Sequence, residues 1–270
     1  MKLQVRHTTL YRFDQPMRGV VQSHRLTPSI CDNQTVIAWD VAVPGAQRGA
    51  MFRDGAGDLI ATMSVRGLIS ELEITVTGEV VTHDLAGVLR GHRETVPPMV
   101  YLRHTRATRP DRAIEELARE TVSGTGSVLE QAHALSAAVL QAVAYMPGQT
   151  QAETTAAEAL AQGCGVCQDH AHLMVAAAIS VEIPARYVAG YLYSAAGDEM
   201  AEASHAWAEL YVPDLGWVGF DASNQSSPDE NYIRLGSGYD AVDAAPIRGV
   251  SQGAGMERLD VDVAVEQVQQ

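Results

Sequence analysis

The chain is 270 residues long, 46% hydrophobic and 19% charged, the make-up of an ordinary globular protein with length enough for a sizeable core. A formal charge of −14 argues against a nucleic-acid footprint, which needs clustered Lys and Arg. The start Met1-Lys2-Leu3-Gln4-Val5 lacks a leader-like apolar run, no uncharged stretch reaches the roughly 18 apolar residues of a membrane helix, and three cysteines form no disulfide framework, so a reduced cytoplasmic protein is expected.

The first third reads as β. Leu3, Val5, Thr9 and Tyr11 alternate with polar residues, and the β-branched run Val36 to Val43 stops at Pro44-Gly45. Leu59 to Val65 and Leu72 to Val80 follow the same rule, with turn signals at Asp54-Gly55 and Gly57-Asp58. An antiparallel sheet or sandwich ending near His83 is predicted, forming a β-rich domain over 1–96.

Pro97-Pro98 and Arg109-Pro110 bracket a linker into a second unit over 97–270, which ends in a C-terminal strand. Ser127-Val128-Leu129-Glu130 and Thr155-Ala156-Ala157-Glu158 both have the spacing of a capping box, the first opening a helix that stops at Pro147-Gly148 and the second a short one ending at Gly163. Gly165 leads into Cys167, and the apolar pattern from Ala171 to Ile179 predicts a buried helix ending before Pro184. Arg186 to Tyr193, Ala206 to Val212 and Trp217 to Phe220 read as strands, the last two joined as a hairpin by Pro213-Asp214-Leu215-Gly216.

This order puts Cys167 in the first turn of a helix, His205 at the start of one strand and Asp221 at the end of its hairpin partner, so the last two are expected side by side. A cysteine at a helix N-terminus has its thiolate favoured by the dipole and by free N–H groups. Those N–H groups suit the oxyanion of a tetrahedral intermediate, a histidine suits the thiol proton, and a carboxylate fixes the tautomer of that histidine. The set points to cysteine-nucleophile acyl transfer.

Gly165 to Met174, Ile183 to Leu192 and Ala203 to Glu209 resemble the transglutaminase-like core, and more narrowly the bacterial transglutaminase-like cysteine peptidases. The likeness spreads over nearly the whole chain, through Tyr11 to Pro28, Tyr145 to Thr150 and Asp243 to Val250. The resemblance implies an α+β fold, a β-rich N-terminal domain followed by a papain-like core whose nucleophile helix packs on an antiparallel sheet. It maps nucleophile, base and acid onto Cys167, His205 and Asp221. Gln168, Tyr145, Trp207 and His170 are the candidates for lining the substrate site or assisting the oxyanion. Three stretches depart from the family pattern: Cys164 stands where Arg or Lys is usual, Asp221-Ala222-Ser223-Asn224 where Asp-Pro-Thr-Asn is usual, and Gly238-Tyr239-Asp240-Ala241 where Gly-Arg-Asp-Tyr is common.

The implied activity is attack on an amide or peptide bond of a peptide or protein substrate, ending in hydrolysis, with crosslinking by transamidation as the alternative. No cofactor, metal, nucleic acid or membrane enters the expectation. Three rival readings are weaker. Cys164-Gly165-Val166-Cys167 is a C-x-x-C at a helix start, yet it lacks a short βαβ context and gives His205 and Asp221 no role. Zinc on Cys164, Cys167, His170 and His172 fails because histidines two apart on a helix face different ways. A binding protein that has lost catalysis would be expected to lack one of the three reactive residues.

Overall fold

The computed structural model describes residues 1–194 and 203–268. The chain begins with four strands, β1 (Lys2–His24), β2 (Gln34–Ala42), β3 (Gln47–Arg53) and β4 (Leu59–Thr82). Along β1 the buried positions alternate from Leu3 to Phe13, as expected where one face of a strand covers a core. The pairing of β1 with β4 slips between Arg12 and Met17, where Pro16 removes a donor from the ladder. Leu59–Val65 and Leu72–Val80, separate strands by their pattern, are one strand: the chain passes between them at Gly67, whose φ of 110° bends the strand without a turn.

A 3-10 helix (Pro98–Leu102) follows, then α1 (Arg112–Val122), α2 (Val128–Ala142), β5 (Ala144–Tyr145), α3 (Ala156–Gln162), β6 (Cys164–Gly165) and α4 (Cys167–Ser180). Both predicted capping boxes form, on Ser127 with Glu130 and on Thr155 with Glu158. Asp111 caps α1, a helix the pattern did not single out, by accepting from the Ile114 N–H. Ten consecutive residues of α4, Asp169 to Ala178, are buried. A helix covered all round must be built from small and apolar residues, and four of the ten are alanines.

Strands β7 (Ala185–Leu192), β8 (Ser204–Val212), β9 (Gly216–Phe220) and β10 (Tyr232–Gly238) form an antiparallel sheet in the order β10-β7-β8-β9. Leu173 to Ala178 of α4 share a core with Ala208, Leu210, Val212 and Val218 of that sheet. Tyr191, Ile233 and Leu235 pack instead with Leu3, Val5 and Val80 of the first sheet, so the second sheet is covered on both faces. The last strands, β11 (Ile247–Gln252) and β12 (Glu257–Gln267), both pair with β1. Residues 247–267, grouped with the second unit by sequence order, thus complete the first sheet.

Charged groups also cross the contact between the sheets. Arg234 of β10 donates to Asp58 (2.8 Å), to Ser29 (2.6 Å) and to Glu209 of β8 (2.9 Å). Arg186 of β7 donates to Glu209 (2.7 Å) and Glu94 (2.5 Å) and lies 4.0 Å from the centre of the Trp217 ring. Buried guanidinium groups persist only when paired in this way. No described helix is long and apolar enough to cross a membrane.

Candidate active site

Cys167 is the first residue of α4, and the turn that places it is built from its neighbours. Val166 is in the extended region, and Asp169 reaches back to accept from the Val166 N–H (2.8 Å) and from the Thr150 hydroxyl (2.6 Å). That return contact needs Gly165, because a Cβ there would stand 2.6 Å from the Cβ of Asp169. The N–H groups of Asp169 and His170 bond the Val166 carbonyl, whereas among the described residues no backbone carbonyl takes those of Cys167 and Gln168. The thiol, half-buried, therefore stands at the positive end of the helix beside two free donors.

The imidazole comes from β8. His205 Nε2 lies 2.5 Å from Asp221 Oδ2, and the Cys167 side chain is close enough to act on the titration of the ring. With Nε2 occupied, Nδ1 is the nitrogen left for sulfur. Burial alone would lower the pKa of His205; the hydrogen bond and charge of Asp221, with the nearby Cys167 side chain, carry it up to about 10. Burial would raise Asp221, but the bond and charge of His205, together with Ser223 and Asn224, hold it down at about 2. Both shifts favour an imidazolium against a carboxylate. The hairpin β8–β9 brings the two together as its spacing predicts, since the register Ala208↔Phe220 leaves Asp221 and His205 at the same end.

The four supporting candidates divide. Tyr145 lies beside Gly165 because β5 and β6 pair in parallel, and Gln168 Nε2 donates to the Ala152 carbonyl (3.0 Å); both are half-buried. His170 and Trp207 are at 1% and 2% exposure. Both His170 nitrogens face backbone carbonyls, of Val166 (2.9 Å) and Val143 (2.8 Å), which makes this buried residue a strut between the start of α4 and the end of α2. Trp207 stacks behind His205, centroids 6.5 Å apart, and meets Tyr232 edge-on at 5.5 Å. His172 accepts from the Ala241 N–H, so neither helix histidine turns to the cysteines.

Cys164 belongs to the extended segment β6, and Val166 is extended as well. Three extended steps separate the two cysteines by about 10 Å, beyond the roughly 7 Å that a disulfide spans, so a bond between them requires the backbone to move. Asp221 is surrounded by donors, of which only those from its own turn have a local signal. Ser223 and Asn224 send two N–H groups and a hydroxyl to its Oδ1, and Tyr232 and the Asn224 amide reach its Oδ2 at 2.8 and 2.7 Å. The Asp-Ala-Ser-Asn run is a legible side-chain-to-backbone turn. Tyr232 has no local signal, since it arrives from a strand at the far side of the sheet.

Residues 115–222 match the transglutaminase-like superfamily, and residues 3–81 match the bacterial transglutaminase-like N-terminal region. An uncharacterised protein of Mycobacterium leprae is 31% identical over 280 aligned positions that cover 98% of each chain. An uncharacterised protein of Mycobacterium tuberculosis is 32% identical over 165 residues, 58% of this chain and 52% of its own. Among solved structures, a candidate cysteine protease from Cytophaga hutchinsonii superposes with a TM-score of 0.76 at 21% identity, covering 100% of this chain and 92% of that one.

Proposed function

Because the chain belongs to the transglutaminase-like superfamily, we propose that it is a cysteine-nucleophile enzyme that cleaves amide or peptide bonds through a thioester. The single observation that carries this reading is His205 bonded to the buried Asp221 at 2.5 Å with the Cys167 side chain near enough to raise its pKa. The thiol proton already rests on His205 as an imidazolium, and the thiolate attacks the carbonyl carbon. The oxyanion then faces the N–H groups of Cys167 and Gln168, which no carbonyl occupies. His205 returns the proton to the leaving amine as the C–N bond breaks, giving a Cys167 thioester. Water attacks next, losing its proton to His205, and the acid departs as the thiol is restored. Asp221 stays ionised throughout and steadies the imidazolium.

The substrate we infer is a peptide or protein amide, and the chemistry needs no cofactor. Hydrolysis is preferred over transfer to an amine because water is always at hand and no amine-binding feature is legible in the sequence. Two measurements test the reading. Iodoacetamide should alkylate Cys167 faster than the buried Cys31, whose thiol burial pushes up; equal rates would remove the activated thiol. Incubation with a glutamine-containing peptide and a labelled primary amine should yield free ammonia with little label incorporated, and Cys167→Ala should abolish the release. Stoichiometric incorporation of the amine would replace hydrolysis by transamidation.

A further inference from the structure

The buried Asp221 carboxylate accepts from more donors than the orientation of one imidazole requires. Oδ1 takes the Ser223 N–H (3.1 Å), the Ser223 hydroxyl (2.6 Å) and the Asn224 N–H (3.2 Å), all from its own turn. Oδ2 takes His205 (2.5 Å), the Asn224 amide (2.7 Å) and the Tyr232 hydroxyl (2.8 Å). Tyr232 is the donor supplied from outside that turn. Its strand pairs with β7, two places from β9 in the sheet, and its ring lies 6.0 Å from the imidazole and 5.5 Å from Trp207. Arg234, two residues along, is bound to Asp58 and Ser29 of the first unit and to Glu209. The hydroxyl is therefore aimed from a strand that both units hold in register.

A donor on Oδ2 has a chemical consequence for the nitrogen on the same oxygen. Each hydrogen bond to a carboxylate disperses charge that would otherwise hold the imidazolium proton. A base held too firmly protonated is a poor acid toward a leaving amine. We propose that Tyr232 is a positioning residue for the reaction: its hydroxyl, bonded to Asp221 Oδ2, limits the grip of that carboxylate on the His205 proton, while its ring backs the imidazole. The inference rests on His205 being the base of the proposed mechanism. Among the described residues, the titratable groups facing the imidazole are Cys167 from α4, Asp221 after β9 and Tyr232 from β10.

The test is the titration of His205 by NMR in the full chain with labelled histidine, in a Cys167→Ala background so that the thiol does not titrate with it. Its resonance is assigned by its loss in His205→Gln. Tyr232→Phe keeps the ring and removes only the hydroxyl, so a purely packing role leaves the midpoint in place. The expected result is a rise of about half a pH unit, a fraction of the roughly one to two units that a hydrogen bond to a charged group is worth. An unchanged or lowered midpoint overturns the proposal. Should the Phe chain fail to fold, 3-fluorotyrosine placed at position 232, whose more acidic hydroxyl donates more strongly to Asp221, should lower the midpoint, and an unchanged or raised one overturns the proposal. Failure of the functional reading is seen separately, as Cys167 alkylating no faster than Cys31 in the unmodified chain.

Discussion

Glu209→Gln is a single-atom change at the centre of the charged cluster between the two sheets. Glu209 Oε1 accepts from Arg234 Nε at 2.9 Å, and Oε2 accepts from Arg186 Nε at 2.7 Å and Arg234 Nη2 at 3.2 Å. A glutamine amide nitrogen would point a donor at a guanidinium donor, and its neutral side chain would leave Arg186 with Glu94 as its carboxylate and Arg234 with Asp58. Arg186 has little reserve, since its Nη2 is buried without a hydrogen-bond partner. Breaking one member of such a buried group costs about 3–5 kcal/mol, because charge remains where water cannot reach it. At an m-value of about 3 kcal/mol per molar urea the unfolding midpoint drops by about 1 M or more. Glu209 is itself held at about 2: burial would raise it, and Arg234 and Arg186 bring it down. A depressed carboxylate contributes stability that is complete above its unfolded value, 4.5, and lost as pH falls through 2. The difference between the two chains should therefore be the same at pH 5 and pH 8. Glu116→Gln, which breaks the exposed pair of Arg112 with Glu116, serves as the control and should cost under about 0.5 kcal/mol. A loss below about 1 kcal/mol for Glu209→Gln would refute the reasoning.

Two further outcomes follow from buried groups and close contacts. Burial lowers His7, His24 and His172 from 6.5 to about 4, so the unfolded chain binds more protons between those values and stability falls as the pH drops through the window. With three protons in play the slope reaches about 4 kcal/mol per pH unit, read by urea unfolding at half-unit steps; equal stability at pH 7 and 4.5 would contradict it. His205 acts in the opposite sense, its contribution being full below 6.5 and lost as pH rises through about 10. Gly190→Ala would set a Cβ 2.3 Å from the Ile233 carbonyl oxygen and 2.5 Å from the Trp207 ring, so a loss of about 1–3 kcal/mol is expected in the same assay, and none if the strands can part freely.

Period and punctuation were enough to locate most elements. The capping boxes at Ser127 and Thr155 and the hairpin at Pro213 to Gly216 are local: their signals lie within a few residues, and they formed where the pattern put them. The helix start at Cys167 and the ends of β8 and β9 were legible for the same reason, and with them the pairing of His205 with Asp221. Exposure was not legible. His170 and Trp207 stand beside the reactive residues in sequence and yet are covered, because burial depends on what packs from elsewhere. Residues that act across long separations were silent too: Tyr232 on Asp221, Arg234 on Asp58, and β11 and β12 returning to β1. The chain by itself fixes which groups can react and the local turns that present them. Only the packing of two sheets decides which of those groups lose water, because desolvation and long-range pairing are properties of the assembled core.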